Sequence, residues 1–225
     1  MNHGKKYDES KKHVDSMKLY TVQEAVELLK KVNITKFDPT VDIAIKTNAN
    51  PKYNDQIIRA TTILPHGTGK TKRVAVFVSD DKIDEAKKSG ADIVGHETLL
   101  NDIKNNKFDF DILVTTPDSI RDLVVVAKQL GPKGLMPSPK AGTVTPNIAQ
   151  TVQEIKKGKI EFRLDKTGNI HAGIGKLSFD AAKIEENINS FIKAIEDNKP
   201  AGVKGKLLKK IVLSTTMSPG IQVEC

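Results

Sequence analysis

Only a few stretches of this 225-residue chain hold side chains whose types and spacing could do chemistry. Gly67-Thr68-Gly69-Lys70-Thr71 is the first, because a glycine-rich loop ending in Lys-Thr can cradle phosphate. That motif needs another glycine five residues before its last one, and Leu64 stands there, followed by Pro65. A strand pattern follows it, where a nucleotide loop opens a helix, so the segment reads as a crossing between two domains. His96-Glu97 lacks the second histidine of a zinc-protease helix, since Leu100 occupies that place. The acid pairs Asp80-Asp81 and Glu185-Glu186 read as solvated turns or helix faces, and no Gly-x-Ser-x-Gly elbow occurs. No active site assembles, and neither a cofactor nor a metal is expected.

Two other stretches are unusual. Gly131 to Val144 sets Lys133 and Lys140 among glycines and prolines, a loop that can bring cations close to phosphates. Ser214-Thr215-Thr216-Met217-Ser218-Pro219 ends a strand with hydroxyls and a methionine, which suits 2′-hydroxyls, phosphates and the flat face of a base or sugar. The formal charge of +8 favours an anionic partner. With seven Phe, three Tyr and no Trp, a broad stacking platform is excluded, so contacts to RNA would run through shape, phosphate and 2′-hydroxyl. No apolar run approaches the roughly 20 residues of a membrane span, and the first thirty residues hold no secretory h-region. The single cysteine is Cys225, which excludes an internal disulfide and a cysteine-ligated zinc and fits a reducing cytoplasm.

The elements that would position these groups follow from periodicity. Residues 1–19 form a basic arm with Lys5, Lys6, Lys11, Lys12 and Lys18. Thr21-Val22-Gln23-Glu24 has capping-box spacing, and Val22, Ala25, Val26, Leu29 and Val32 continue at helical spacing. Val41, Ile43 and Ile45 alternate with Asp42, Ala44 and Lys46, the pattern of a strand with one wet face. Another strand is expected over 57–63.

From Arg73 the pattern changes. A continuous β-branched run to Val78 suits a strand buried on both faces. Helices near 83–86 and 99–104 alternate with strands at 93–94 and 111–114, and Thr116-Pro117 and Gly131 bracket a helix over 117–130. After a helix near 147–158 the first pattern returns. A strand over 159–164 turns at Lys166-Thr167-Gly168-Asn169 and comes back from Ile170. A helix over 180–197 follows, then a final strand over 207–214. The expected fold is an α+β outer domain, discontinuous in sequence (1–67 plus 160–225), with an inserted α/β domain of Rossmann-like, three-layer type over 68–159. Its expected outer core includes Val26, Leu29, Val41, Ile43, Ile184, Ile188, Phe191 and Ile211.

Five ordered blocks carry a resemblance: Lys36-Phe37-Asp38 before Thr40-Val41, Leu64 to Lys70, Gly131 to Val144, Lys166-Thr167-Gly168-Asn169-Ile170-His171 with Gly175-Lys176, and Ser214-Thr215-Thr216-Met217. Through nearly its whole length the chain resembles the bacterial ribosomal protein L-one family, the first protein of the large ribosomal subunit. The resemblance implies a ribosome-bound, cytoplasmic, non-enzymatic protein. Its partners would be ribosomal RNA of the mobile stalk, exit-site tRNA whose release it assists, and its own operon mRNA, which it represses.

On that reading Phe37 packs against a sugar or base and Lys36 neutralises a phosphate. Thr40, Thr215 and Thr216 bond RNA oxygens, and Met217 gives apolar cover. Ser214, Lys166 and His171 support them, and Lys133 and Lys140 touch RNA or tRNA from the inserted domain. The family commonly reads Thr-Met-Gly where this chain has Thr216-Met217-Ser218, which puts the role of Ser218 in question. The competing readings are an NTP-dependent enzyme using Gly67 to Thr71, and a scaffold for anionic surfaces without preference for RNA.

Overall fold

The computed structural model describes residues 4–15 and 17–224; Cys225 lies outside them. In chain order the first elements are α1 (Lys5–Lys12), α2 (Val22–Lys31), β1 (Thr40–Thr47) and β2 (Arg59–Ile63). Next come β3 (Val74–Phe77), α3 (Ile83–Lys88), β4 (Ile93–Gly95), α4 (Glu97–Lys104) and β5 (Ile112–Thr115). They are followed by α5 (Ile120–Leu123), α6 (Ala127–Lys133), α7 (Ile148–Lys156), β6 (Lys159–Arg163) and β7 (Asn169–Lys176). The last are α8 (Ala181–Asp197), β8 (Leu208–Thr215) and β9 (Ile221–Val223). The content is mixed α and β. The chain forms two compact units, one of residues up to Gly69 together with Ile160 onward, the other Lys70–Lys159.

In the outer unit the long sheet has strand order β7-β1-β8-β9, and β2 pairs with β6 in a two-stranded sheet. Helix α2 starts at a complete capping box, the Thr21 hydroxyl accepting from the Glu24 N–H while the Glu24 carboxylate accepts from the Thr21 N–H. The apolar stripes of α2 (Ala25, Val26, Leu29) and α8 (Ile184, Ile188, Phe191, Ile195) join Val41, Ile43, Ile45, Ile170, Ile174, Ile211 and Leu213 in one core. Every one of those strand residues lies on the same sheet face. Phe162 of β6 meets Phe191 edge-on, ring centroids 5.3 Å apart, and so ties the small sheet to α8.

In the inserted unit β3 lies between β4 and β5, parallel to both. All four of its residues are buried, and they alternate between two cores. Ala75 and Phe77 pack with Leu99, Ile103, Leu123 and Leu130 from α4, α5 and α6. Val74 and Val76 pack with Ala86, Ile148, Val152 and Ile155 from α3 and α7.

Three expectations need correction. The helix over 117–130 begins only at Ile120 and is interrupted by a tight 3-10 turn at Val124–Val126, three β-branched residues in succession. Nor does it stop at Gly131, for α6 runs on through Pro132 to Lys133. The stop is Gly134, whose φ of 71° only glycine takes readily, and the Leu135 N–H then bonds the Leu130 carbonyl at 3.1 Å. The strands β6 and β7 are not a regular hairpin either. They share a single bridge, Leu164 to Ile170, because β7 pairs with β1 and β6 with β2. Finally, β8 is not the last strand, since β9 follows and pairs with it antiparallel.

Candidate nucleic-acid interface

The second face of the long sheet is not covered by either helix of the core. Strand alternation puts Thr40, Asp42, Ala44 and Lys46 of β1 on it, and pairing sets their neighbours. Asp42 lies between Gly173 and Ser214, Ala44 between His171 and Val212, and Lys46 between Asn169 and Lys210; Gln222 of β9 continues the Ala44 row beyond Val212. Gly173, Ser214, Ala44 and Val212 keep the middle low beside Asp42 and His171, with hydroxyls toward one end and ammonium groups toward the other. A Cβ at Gly173 would come within 3.2 Å of both the Asp42 carboxylate and the Thr40 methyl, so a bare backbone keeps this surface flat.

At the hydroxyl end two loops meet. Thr40 opens β1, and its carbonyl accepts from the Thr216 N–H at 3.2 Å. The loop before it is held by Asp38, whose carboxylate accepts from the Ser178 N–H (3.0 Å) and hydroxyl (2.8 Å), and whose carbonyl accepts from the Lys176 ammonium (3.1 Å). Phe37, 55% exposed, is thus an apolar ring presented to solvent on a fixed loop, with Lys36 exposed beside it.

In the facing loop, Thr215 to Ser218 make a β-turn, closed by the Ser218 N–H on the Thr215 carbonyl at 3.0 Å. Met217 sits at its third position with φ 73°, a conformation rare outside glycine, and is 67% exposed. A left-handed non-glycine residue that displays an apolar side chain to water makes Met217 a candidate contact position. Thr216 is exposed beside it.

Ser218 and Thr215 do not present their hydroxyls outward as contact groups. The ladder between β8 and β9 ends at Leu213 and Ile221, which leaves the Thr215 N–H without a strand partner. The Ser218 hydroxyl accepts that N–H at 2.8 Å and so clasps the turn from inside. The backbone of Ser218 is not left-handed, so its φ does not call for glycine. The Thr215 hydroxyl is buried without a hydrogen-bond partner, and what this residue offers the turn is its backbone.

Lys166 and His171 flank the turn at one side of the sheet. Asp165 organises it, accepting from the Asn169 N–H, the Thr167 N–H and the Thr167 hydroxyl, each at 2.8 Å. These bonds, the Asn169 N–H foremost, hold its carboxyl down at about 2. His171 lies 3.6 Å from the same carboxylate, and Lys166 is exposed, its ammonium unpaired among the described residues.

Lys133 and Lys140 belong to the inserted unit, not to the unit that carries this face. The Lys133 ammonium lies 3.4 Å from the centroid of the Phe108 ring, and Lys140 is exposed on the short turn Pro139–Ala141. The loop around them is ordered by its own bonds. Ser138 donates its N–H to the Thr143 hydroxyl at 2.9 Å, and Thr115 and Thr145 bridge beside Val144. The crossing segment is structural as well. Buried Asn187 accepts from the His66 N–H and donates to the carbonyls of Gly67 and Ile174, and the next element is the strand β3, not a helix.

Sequence reasoning missed Lys46, Lys210, Asn169, Val212 and Gln222. The wet-face alternation of β1 was the available signal for Lys46. The others needed the strand register, because it is pairing that sets β7 and β9 on either side of β1 and β8.

The family model described as Ribosomal protein L1p/L10e family matches residues 29–219. The large ribosomal subunit protein uL1 of Thermosipho africanus (strain TCF52B) is 53% identical over 223 residues, 99% of this chain and 96% of its own length. The protein of the same name from Fervidobacterium nodosum is also 53% identical over 223 residues, covering 99% and 95%, and that of Thermosipho melanesiensis is 52% identical over 222 residues, covering 98% and 96%.

Proposed function

The chain belongs to the ribosomal protein L1p/L10e family, and on that premise we propose that it is a structural constituent of the large ribosomal subunit that binds ribosomal RNA of the mobile stalk through its outer unit. The observation that carries this reading is the uncovered sheet face with its two displayed apolar side chains, Phe37 and Met217, at the hydroxyl end. Flat, small-residue surface admits the shallow minor groove of an RNA helix. Thr40, Thr216 and Ser214 are of the right chemistry for 2′-hydroxyls and phosphate oxygens. Lys36, Lys166 and His171 supply or complete the charge around it. Phe37 and Met217 cover a sugar or an unstacked base. Thr215 and Ser218 act by holding the turn that displays Met217.

The same face would take a hairpin of similar shape in the protein's own operon mRNA, which makes it a repressor of its own translation. From the stalk the protein assists release of exit-site tRNA, with Lys133 and Lys140 as auxiliary contacts. Chemical footprinting on large-subunit ribosomal RNA tests the reading. One structured segment should be protected by the protein, and the same segment should lose protection in Thr216→Val/Met217→Ala. Protection spread evenly over the RNA, or equal competition by scrambled RNA at fixed salt, would leave only the unspecific anionic-surface scaffold.

A further inference from the structure

Lys46 of β1 and Lys210 of β8 stand directly opposite each other in the strand register. Both lie on the uncovered face and both are exposed, as is their neighbour Lys209 at the bulge that follows. No carboxylate pairs with either ammonium among the described residues. Like charges directly across a strand pair destabilise the sheet. Asn169, the partner of Lys46 on its other side, is a neutral amide whose nitrogen donates to the Thr167 hydroxyl, so it brings no negative charge to the pair. A protein that keeps two facing lysines unneutralised is built for an anion that arrives from outside.

The position of the pair says what that anion is. Thr40 and Lys46 are six residues apart on one strand, roughly 20 Å at about 3.3 Å per residue. Nucleic-acid backbone carries a phosphate every few ångströms along each strand, so an RNA lying along β1 from the Met217 turn presents further phosphates at this distance. A small anion would neutralise the pair but would have no reason to meet a flat surface leading to it. We propose that Lys46 and Lys210 form a second anchoring point that grips RNA backbone phosphates at the far end of the sheet, extending the contact along the whole length of β1. The proposal rests on the RNA-binding reading given above.

Binding of large-subunit ribosomal RNA across a KCl series, with the thermal unfolding midpoint of each variant, tests it on the intact chain. Lys46→Gln and Lys210→Gln should each flatten the slope of log affinity against log salt by about 0.7–0.9, and the double variant by about 1.5. Lys46→Arg should keep the slope. The unfolding midpoint of the glutamine variants should stay level or rise, because a repulsion has been removed; a structural role would lower it. Unchanged slope in the double variant, with RNA still bound and Thr216→Val still weakening it, overturns the second anchor and leaves the first site standing. A wild-type chain that does not prefer this RNA to scrambled RNA overturns both.

Discussion

The two sheets of this protein solve opposite problems. Strand β3 of the inserted unit is buried on both faces, its alternate residues shared between two cores. Strand β1 of the outer unit is buried on one face only, with Val41, Ile43 and Ile45 inward and Thr40, Asp42, Ala44 and Lys46 outward. The parallel sheet is covered because its crossover helices return over it on either side. The antiparallel sheet needs no such crossovers and can leave a face in water. A sheet sandwiched by helices can offer partners only its loops, whereas a half-covered sheet offers a broad, stiff and flat surface whose groups are set by strand register. On the proposed reading, that is why the recognition chemistry belongs to the outer unit even though the inserted unit carries the more conspicuous glycine- and lysine-rich loop.

Breaking each sheet should produce opposite phenotypes. The largest effect is expected for Val76→Asp, which forces an unpaired charge into the fully buried β3. It should cost more than about 4 kcal/mol and unfold the inserted unit, seen as an early transition in thermal unfolding. RNA affinity should stay within about tenfold of wild type, roughly 1.4 kcal/mol. A larger loss would show that the inserted unit shares the binding.

On the open face the same kind of change should spare the fold. Ala44→Asp sets a carboxylate between His171 and Val212, where RNA phosphates would approach. Its unfolding should shift by no more than about 1 kcal/mol, the span of strand propensities, while RNA affinity falls by more than about tenfold. Full affinity in this variant would remove the uncovered face from the proposed function.

A smaller change separates charge from shape. Thr216→Val and Ser218→Ala should each weaken RNA binding by about 0.5–1.5 kcal/mol, the first by losing a donor and the second by releasing the Met217 turn, with the salt slope unaltered. Lys36→Ala should instead flatten that slope by about one. Titration calorimetry at several salt concentrations distinguishes the two classes.

The smallest effect concerns acid. Asp165 titrates at about 2 in the folded chain against an ordinary 3.8, so its bonds favour the folded state fully above about pH 4. That contribution fades as pH falls and is gone once the carboxyl protonates near 2. Amide protection factors at Thr167 and Asn169, corrected for the intrinsic pH dependence of exchange, should therefore fall between about pH 4 and 2 while the amides of β3 stay protected. Simultaneous loss in both places would mean that the turn has no local stability of its own.

Much of the scaffold could be read from the residues, because its causes are local. The capping box at Thr21, the alternation along β1, the apolar run of β3 and the stripe of α8 are each properties of neighbours in sequence, and each element formed where the pattern put it. The misreadings at 117–134 are instructive. Glycine and proline signal that a helix can end, but the end comes where the backbone turns left-handed against a packed neighbour, at Gly134 with Leu135 folded back on Leu130. The candidate contact residues were legible as types (hydroxyls, lysines, one methionine) and through the family resemblance.

Their division into displayed and hidden was not legible. Thr215 and Thr216 are identical and adjacent, yet alternation and one turn bury the first and expose the second. Met217 gains its exposure from a left-handed φ that no side-chain propensity foretells, and Ser218 gains its role from an N–H that β9 leaves unpaired. Lys46 and Lys210 are far apart in the chain and meet only through the pairing of β1 with β8. The sequence by itself determined the elements, the charge and the chemistry on hand, since those depend on residue type and short-range spacing. Only the tertiary structure decided which of those groups share a surface, because strand register and turn closure join residues that no local pattern relates.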